Sequence, residues 1–217
     1  MKKGLTELVF ILDKSGSMGG LETDTIGGYN SMLEKQKAME GECHITTVLF
    51  NNSYDLLYDR IDIRAVSGIT EKEYSVGGST ALLDAIGRTI HKIGNAQKHT
   101  TDDFRAEKVI FVIITDGEEN SSREFSSEKV KALIENQKVK YGWEFIFLGA
   151  NIDAVQTAAS FGIKADRAQN YHADSEGVEL NFRVMSEAVA TYRKCAVMPE
   201  DWNDEIQKDY KRRGGQH

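Results

Sequence analysis

The chain has 217 residues, of which 40% are hydrophobic, a composition that suffices for one well-packed domain and is thin for two. Its 34 acidic residues outnumber its 27 basic residues, and the formal net charge is −7 at pH 7. No basic block is long enough to follow a phosphate backbone, which argues against a nucleic-acid partner. No segment has the length of a membrane span, and the apolar run Leu8–Leu12 is shorter than a signal-peptide core. Cys43 and Cys195 have no pairing or metal-ligand spacing, so we expect a reducing compartment and a cytoplasmic protein.

Short apolar runs rich in Val, Ile and Phe alternate along the chain with longer segments of helical periodicity. The runs predicted to be central strands are Glu7–Leu12, His44–Phe50, Lys108–Thr115 and Glu144–Gly149. They are apolar nearly throughout, which is typical of strands covered on both faces. The segment 53–63 follows an Asn-Asn turn signal and is predicted to pair antiparallel with the preceding strand at the sheet edge.

Three segments between and after these strands carry an apolar stripe at steps of three and four residues. The stripes run from Leu82 to Ile93, from Val130 to Gln137 and from Val178 to Tyr192. A sixth strand is predicted around 167–171. The alternation predicts a three-layer α/β fold with a doubly wound, mostly parallel central sheet, one antiparallel edge strand and helices on both faces.

The end of the chain has a different pattern. Pro199 is followed by two acids, and four basic residues precede Gly214, which is the polarity of a short capped helix. Trp202, Ile206 and Tyr210, at steps of four, would form its apolar stripe. We therefore expect a domain at residues 1–195 and a C-terminal helical extension at residues 196–217.

Oxygen-bearing side chains follow the predicted strands at three places. Asp13, Ser15 and Ser17 lie directly after the first strand, and in an extended segment their alternate positions point the same way. Thr80 opens the helix that begins near residue 81, and Asp116 ends the most apolar strand. Ligands of open α/β sheets collect at the carboxyl ends of the strands, so these three loops are predicted to converge on one point.

The donor types indicate the ligand. Hydroxyl and carboxylate oxygens, without thiol or imidazole, favour a hard cation, and we expect Mg²⁺, with Mn²⁺ or Ca²⁺ as alternatives.

Three short sequences carry a resemblance to a known family: "DKSGSM" at 13–18, "GGSTAL" at 77–82 and "ITDG" at 114–117. In order and spacing they resemble the von Willebrand factor type A domain and its metal-ion-dependent adhesion site, over roughly residues 5 to 195. The resemblance implies that Ser15, Ser17 and Thr80 contact the metal, and that Asp13 and Asp116 hold it directly or through water. Among the branches of the family, the chain looks like the intracellular bacterial type.

A cation held mostly by neutral hydroxyls keeps most of its charge and favours an anionic oxygen at its open position. The expected partner is therefore a protein that presents Asp or Glu, and the expected activity is metal-dependent binding rather than catalysis. None of the five histidines lies in a motif, which leaves no evident general acid or base. A metal-dependent hydrolase of phosphoesterase type and a scaffold with an unused site remain as alternatives.

Other interpretations of the same residues are weaker. An EF-hand loop starting at Asp13 would need glycine where Met18 stands and glutamate where Asp24 stands. No Lys-Ser or Lys-Thr follows the glycines, as a phosphate-binding P-loop requires. Two questions stay open. Thr80 or Ser79 could be only the N-cap of the helix that follows, without binding a metal. Glu118 and Glu119 form either an acidic rim around the site or a solvated turn with no role.

Overall fold

The structure, a computed structural model, describes residues 1–215; the last two residues of the predicted extension, including His217, lie outside the described part. One six-stranded sheet runs through it, with the spatial order β3-β2-β1-β4-β5-β6. The strands are β1 (Lys2–Asp13), β2 (Cys43–Phe50), β3 (Tyr54–Asp62), β4 (Ala106–Thr115), β5 (Glu144–Gly149) and β6 (Ala168–Asn170). All neighbours pair in parallel except β2 and β3, so the predicted antiparallel edge strand and mostly parallel sheet are confirmed.

Helices cover both faces of this sheet. They are α1 (Glu22–Lys37), α2 (Leu82–His99), α3 (Ser127–Tyr141), α4 (Ala154–Ser160), α5 (Ser175–Cys195) and α6 (Asp204–Arg212). Buried residues of α1, α5 and α6 form one core cluster with one face of the sheet, and buried residues of α2, α3 and α4 form a second cluster with the other. The predicted three-layer α/β architecture is therefore confirmed. Among residues 1–215, no helix is long and apolar enough to cross a bilayer.

The strand register brings the predicted site loops to one edge. Residue Asp13 of β1 pairs with Phe50, and Leu12 pairs with Ile114 of β4. Since β1 and β4 run in parallel, the loops that follow Asp13 and Thr115 leave the sheet side by side.

Helix α1 was not predicted from the sequence. Its two adjacent glycines, Gly27 and Gly28, weaken the helical pattern, although Tyr29, Met32 and Leu33 are buried. A Cβ at Gly28 would lie 2.4 Å from Cδ2 of Phe182, so the missing side chain is what lets α1 and α5 pack closely. The helical pattern of this segment was weak because close contact with α5, and not helix propensity, requires glycine at position 28.

The C-terminal helix begins later than predicted, at Asp204 rather than at the residues after Pro199. Trp202 precedes the helix in a turn but is buried together with Ile206, whereas Tyr210, the third residue of the predicted stripe, is only half-buried. The Trp202 indole N–H donates to the carbonyl of Asp166 at 2.8 Å. The division between residues 1–195 and the extension stays a prediction.

Candidate metal site

The first loop folds as a turn and not as the extended segment we expected. Asp13 ends β1, and its Oδ1 accepts the backbone N–H of Ser15 at 2.7 Å. A 3-10 turn over Gly16–Met18 then brings the Oγ atoms of Ser15 and Ser17 to 3.0 Å from each other. The two hydroxyls therefore lie together, as predicted, but a turn and not strand alternation places them there.

Asp13 is fixed from two directions and is fully buried. The Thr115 hydroxyl donates to Asp13 Oδ2 at 2.6 Å, and the Tyr74 hydroxyl donates to the Asp13 backbone carbonyl. Burial raises the pKa of the Asp13 carboxyl, and the hydrogen bonds from Thr115 and Ser15 oppose that rise. Thr115 and Tyr74 were missed as site residues. Thr115 is the second residue of the "ITDG" sequence and could have been found there, whereas nothing near Tyr74 signals a contact with a residue 61 positions away.

Thr80 does not cap α2. The N-cap position is Ala81, which makes no side-chain capping bond. Instead, the Glu119 carboxylate accepts the backbone N–H of Leu83 at 2.8 Å. The interpretation of Thr80 as only a helix N-cap is thereby weakened. A residue from another loop accepts a backbone N–H at the N-terminus of α2, so the Thr80 hydroxyl is available to bind a ligand.

The bond from Leu83 N–H to Glu119 also bears on whether Glu118 and Glu119 form an acidic rim around the site. Glu119 also accepts the backbone N–H groups of Ser121 and Ser122, at 2.9 and 2.7 Å, so it organises the loop after β4. Glu118 is exposed. Of the two acids, only Glu118 is left as a candidate for the rim.

Asp116 completes the cluster. Its Oδ1 accepts the Ser17 hydroxyl at 2.5 Å, whereas Oδ2 is buried and has no hydrogen-bond partner among residues 1–215. Burial and the nearby negative charge of Asp13 raise the pKa of Asp116 to about 6, against the opposing hydrogen bond from Ser17. The one basic residue of the first loop, Lys14, has its Nζ 2.7 Å from Asp55 Oδ2 instead. Within the described residues, these two buried carboxylates therefore lie near each other, and no cationic side chain pairs with either of them.

The hydroxyls of Ser15, Ser17 and Thr80 lie around Gly117. A Cβ built on this residue would lie 2.8 Å from Ser17 Oγ, 3.1 Å from Thr80 Oγ1 and 3.8 Å from Ser15 Oγ. The three hydroxyls, predicted from two separate loops, are thus brought together at the carboxyl edge of the sheet. Sequence reasoning gave Gly117 no role, although its place after Asp116 in "ITDG" was visible.

Backbone hydrogen bonds hold the first and second loops against each other. Gly16 N–H donates to the Gly78 carbonyl at 3.0 Å, and Gly77 N–H donates to the Lys14 carbonyl at 2.9 Å. The Asn51 side chain adds a bond to the Gly77 carbonyl at 2.7 Å. Gly78 has φ +79°, and a Cβ there would lie 2.0 Å from an Asn52 side-chain oxygen, so only glycine fits.

The donor set fits a hard divalent cation. It contains three hydroxyls and two carboxylates, with an unpartnered carboxylate oxygen at Asp116. Within residues 1–215, no three or more His, Cys, Asp and Glu side chains are grouped so that they could hold a metal by themselves, so a metal at this site would need hydroxyl ligands as well. A softer metal such as zinc, which prefers thiolate and imidazole ligands, would find few suitable donors here.

Comparison with known proteins gives matches to solved structures only; no family profile and no curated protein sequence matches the chain. A von Willebrand factor type A protein from Catenulispora acidiphila is 14% identical, with TM-score 0.55, and the match covers 85% of this chain and 42% of that one. Manganese-loaded TRAP protein from Plasmodium vivax is 19% identical, with TM-score 0.59 and coverage of 82% and 72%. Proximal thread matrix protein 1 from the mussel byssus, solved with a zinc-occupied MIDAS motif, is 14% identical, with TM-score 0.57 and coverage of 85% and 46%.

These matches and the geometry define a class of protein, an α/β domain with an oxygen-rich site at the carboxyl edge of its sheet. More specifically, the chain has the fold of a von Willebrand factor type A domain. It spans less than half of the length of two of the three proteins named above, at 42% and 46%. Two of the three are described with a divalent metal, manganese or zinc.

Proposed function

We propose that the chain is a divalent-metal-dependent protein-binding module. Ser15, Ser17, Thr80, Asp13 and Asp116 would hold the metal, and Mg²⁺ suits this set of oxygen donors, with Mn²⁺ or Ca²⁺ as alternatives. The observation that carries the proposal is the clustering of three hydroxyls around Gly117 beside two buried, uncompensated carboxylates. Metal-bound relatives of the same fold support it.

When bound, the cation would supply a positive centre that attracts an anionic oxygen from outside the chain. The residues of the site would prepare that centre: neutral hydroxyls as direct ligands would leave its charge largely uncancelled, with the Asp13 and Asp116 carboxylates holding it through water. We therefore infer a protein partner that presents Asp or Glu. The overall charge of −7 would slow the approach of an acidic partner, and the local positive centre opposes that repulsion.

We propose binding rather than catalysis because three groups near the site have structural tasks, and Asp116, which has a carboxylate oxygen without a partner in the described part of the chain, is assigned to the metal. Glu119 caps α2, Thr115 orients Asp13, and Lys14 pairs with Asp55. General acid–base catalysis would require an uncommitted group poised at the cation. The phosphoesterase-like alternative is tested by turnover of a generic phosphate ester with Mg²⁺, and an unused site is tested by partner binding that does not depend on metal.

The metal test compares two threonines on the α2 side of the fold. Thr80→Val removes the proposed donor without changing its shape, and Thr89→Val, a buried control, removes a hydroxyl that donates to the Ala85 carbonyl. We expect calorimetric titration of chelator-stripped protein to give one Mg²⁺ site in the wild type and in Thr89→Val. Thr80→Val should bind at least tenfold more weakly, and wild-type affinity in that variant would contradict the assigned site.

The partner test uses metal-loaded protein and peptides that differ only in one acidic residue. Peptides with Asp or Glu should bind, those with Asn or Gln in its place should not, and a chelator should release the bound peptide. Equal binding of acidic and neutral peptides would overturn the proposed recognition while leaving the metal site intact.

We also propose a cytoplasmic location and a boundary at residue 195. The support for the location is that Cys43 is free and buried and Cys195 is free and exposed, as in proteins of reducing compartments. The support for the boundary is that α5 ends at Cys195 and the next residue, Ala196, takes a left-handed conformation.

A further inference from the structure

A cavity lies at the opposite end of the molecule from the candidate metal site. Its volume is about 500 Å³, and it opens between the C-terminal halves of α2 and α3 near the start of β4. Thr80 precedes α2 and Lys98 lies near its end, so the length of this 18-residue helix, about 27 Å, separates the two places. The volume falls within the range of small-molecule sites in proteins.

The floor of the cavity is apolar and rigid. Ile90, Val109 and Trp143 line it and are at least 95% buried. The Trp143 ring stacks on Phe111 with a centroid distance of 5.4 Å and an interplanar angle of 18°, which fixes its orientation. A flat apolar group would therefore find a preformed surface at this floor.

Gly94 keeps the space between the helices open. It lies in the middle of α2, where glycine costs roughly 1 kcal/mol of helix stability relative to alanine. A Cβ at this position would meet Gln137 Nε2 at 3.5 Å and the Trp143 ring at 4.0 Å, both ordinary contact distances. Close packing thus does not require a glycine here, in contrast to Gly28. Gly94 lines the cavity, and the absence of a side chain leaves that space open.

Polar groups inside the cavity have unused hydrogen-bonding capacity. Gln137 is only 9% exposed and Trp143 5%, and both residues line the cavity. Within residues 1–215, neither the Gln137 amide nor the Trp143 indole N–H makes a hydrogen bond. Neither side chain is among the fully buried polar groups that lack a partner, so their polar atoms reach solvent and can donate to acceptor atoms of a ligand.

The mouth of the cavity is positively charged in a chain whose net charge is −7. Lys98 on α2 and Lys140 on α3 line it from opposite sides, are exposed, and form no ion pair within the described part of the chain. Of the other two charged residues there, Arg105 pairs with Asp102 at 3.0 Å, and Glu107, whose carboxylate accepts the Gly4 N–H at 2.7 Å, leaves one negative charge against the two lysines. Two free cations over an apolar floor complement an anion with an apolar body.

We propose that this cavity binds a small aromatic anion, whose ring lies against Ile90, Val109 and Trp143 and whose carboxylate or sulfonate lies between Lys98 and Lys140. Acceptor atoms of the ligand take hydrogen bonds from the Gln137 amide and the Trp143 indole. The site is independent of the candidate metal site, so neither proposal depends on the other.

The test uses naphthalene-2-sulfonate as the probe and naphthalene-2-methanol as its neutral counterpart, observed through the indole N–H signals of the full chain. There are two tryptophans, and Trp202 is an internal control because its N–H is bonded to Asp166 and neither residue lines the cavity. Only the Trp143 signal, assigned with Trp143→Phe, should move with the sulfonate. Gly94→Leu, which places a side chain in the cavity, should abolish that shift.

Charge is tested with variants on the exposed surface, which leave the core intact. Lys98→Gln/Lys140→Gln should weaken sulfonate binding at least tenfold and leave neutral-probe binding unchanged, while Lys129→Gln/Lys131→Gln, on exposed positions of α3 outside the lining, should bind the sulfonate as the wild type does. Equal affinity for both probes, or equal loss in both lysine pairs, would overturn the anion assignment. A sulfonate that moves neither Trp signal at millimolar concentration would overturn the site itself.

Discussion

Thr115 at the end of β4 donates its hydroxyl hydrogen to Asp13 at the end of β1, over 2.6 Å. The two residues are 102 positions apart in the sequence. Because Asp13 Oδ1 already accepts the Ser15 N–H, this second bond fixes the orientation of the whole carboxylate. The neighbouring strand, and not the loop itself, thus decides how the candidate metal site presents its first acid.

Thr115→Val should weaken the metal site without dismantling the fold. The substitution keeps the shape of the side chain and leaves Asp13 Oδ2 without its donor, so we expect a loss of about 1–3 kcal/mol in unfolding free energy and roughly a tenfold rise in the Kd for Mg²⁺. Calorimetry and urea unfolding measure the two effects. An unchanged Kd would mean that Asp13 orientation does not matter for binding.

Gly117→Ala should block the metal site sterically. Its Cβ would lie 2.8 Å from Ser17 Oγ and 3.1 Å from Thr80 Oγ1, so the hydroxyls would have to move apart. We expect at least a tenfold rise in the Kd for Mg²⁺ in calorimetric titration. The control is Gly27→Ala, whose Cβ meets nothing within 4 Å and which should bind metal as the wild type does.

The adjacent glycines of α1 should respond to alanine in opposite directions. Gly27→Ala should raise the unfolding free energy by about 0.5–1 kcal/mol, because the position is open and alanine favours the helix. Gly28→Ala should lower it by about 1–3 kcal/mol, because the new Cβ would press on the Phe182 ring at 2.4 Å. Urea unfolding of the two variants measures both, and a stabilising Gly28→Ala would show that α1 can shift away from α5 at no cost.

Glu7 should make stability depend on pH. This carboxyl is fully buried in β1, where it accepts Arg60 Nε at 2.8 Å and Gln97 Nε2 at 3.0 Å. Burial raises its pKa above the usual 4.5, despite the opposing charge of Arg60 and the two hydrogen bonds. An acid with a raised pKa binds its proton more tightly in the folded state, so its contribution to stability grows as the pH falls through the folded pKa and levels off below about 4.5.

The measurement compares urea unfolding of the wild type and Glu7→Gln between pH 7 and pH 4. The stability of the wild type relative to the variant should increase as the pH falls through this range. A difference that stays constant, or that decreases toward low pH, would mean that Arg60 keeps Glu7 ionised in the folded protein.

The sequence determined the fold class and the membership of the candidate site. Apolar runs of strand length alternate with helical stripes, and this periodicity can be read without any contact information. Three short sequences placed Asp13, Ser15, Ser17, Thr80 and Asp116 at loops that had to meet at one edge, because parallel strands end together. The predicted roles of these residues in metal binding await the titrations described above.

Only the tertiary structure shows which groups form hydrogen bonds with the residues of the candidate site. Thr115 orients Asp13, Glu119 replaces Thr80 as the helix cap, and Tyr74 bonds to the Asp13 backbone, all through contacts between distant parts of the chain. Helix α1 was likewise unpredicted, since its glycines are explained by close packing against α5. Periodicity reports the burial of a segment, whereas hydrogen-bond partners and interhelical distances depend on the three-dimensional register of segments far apart in sequence, and a linear pattern carries no record of that register.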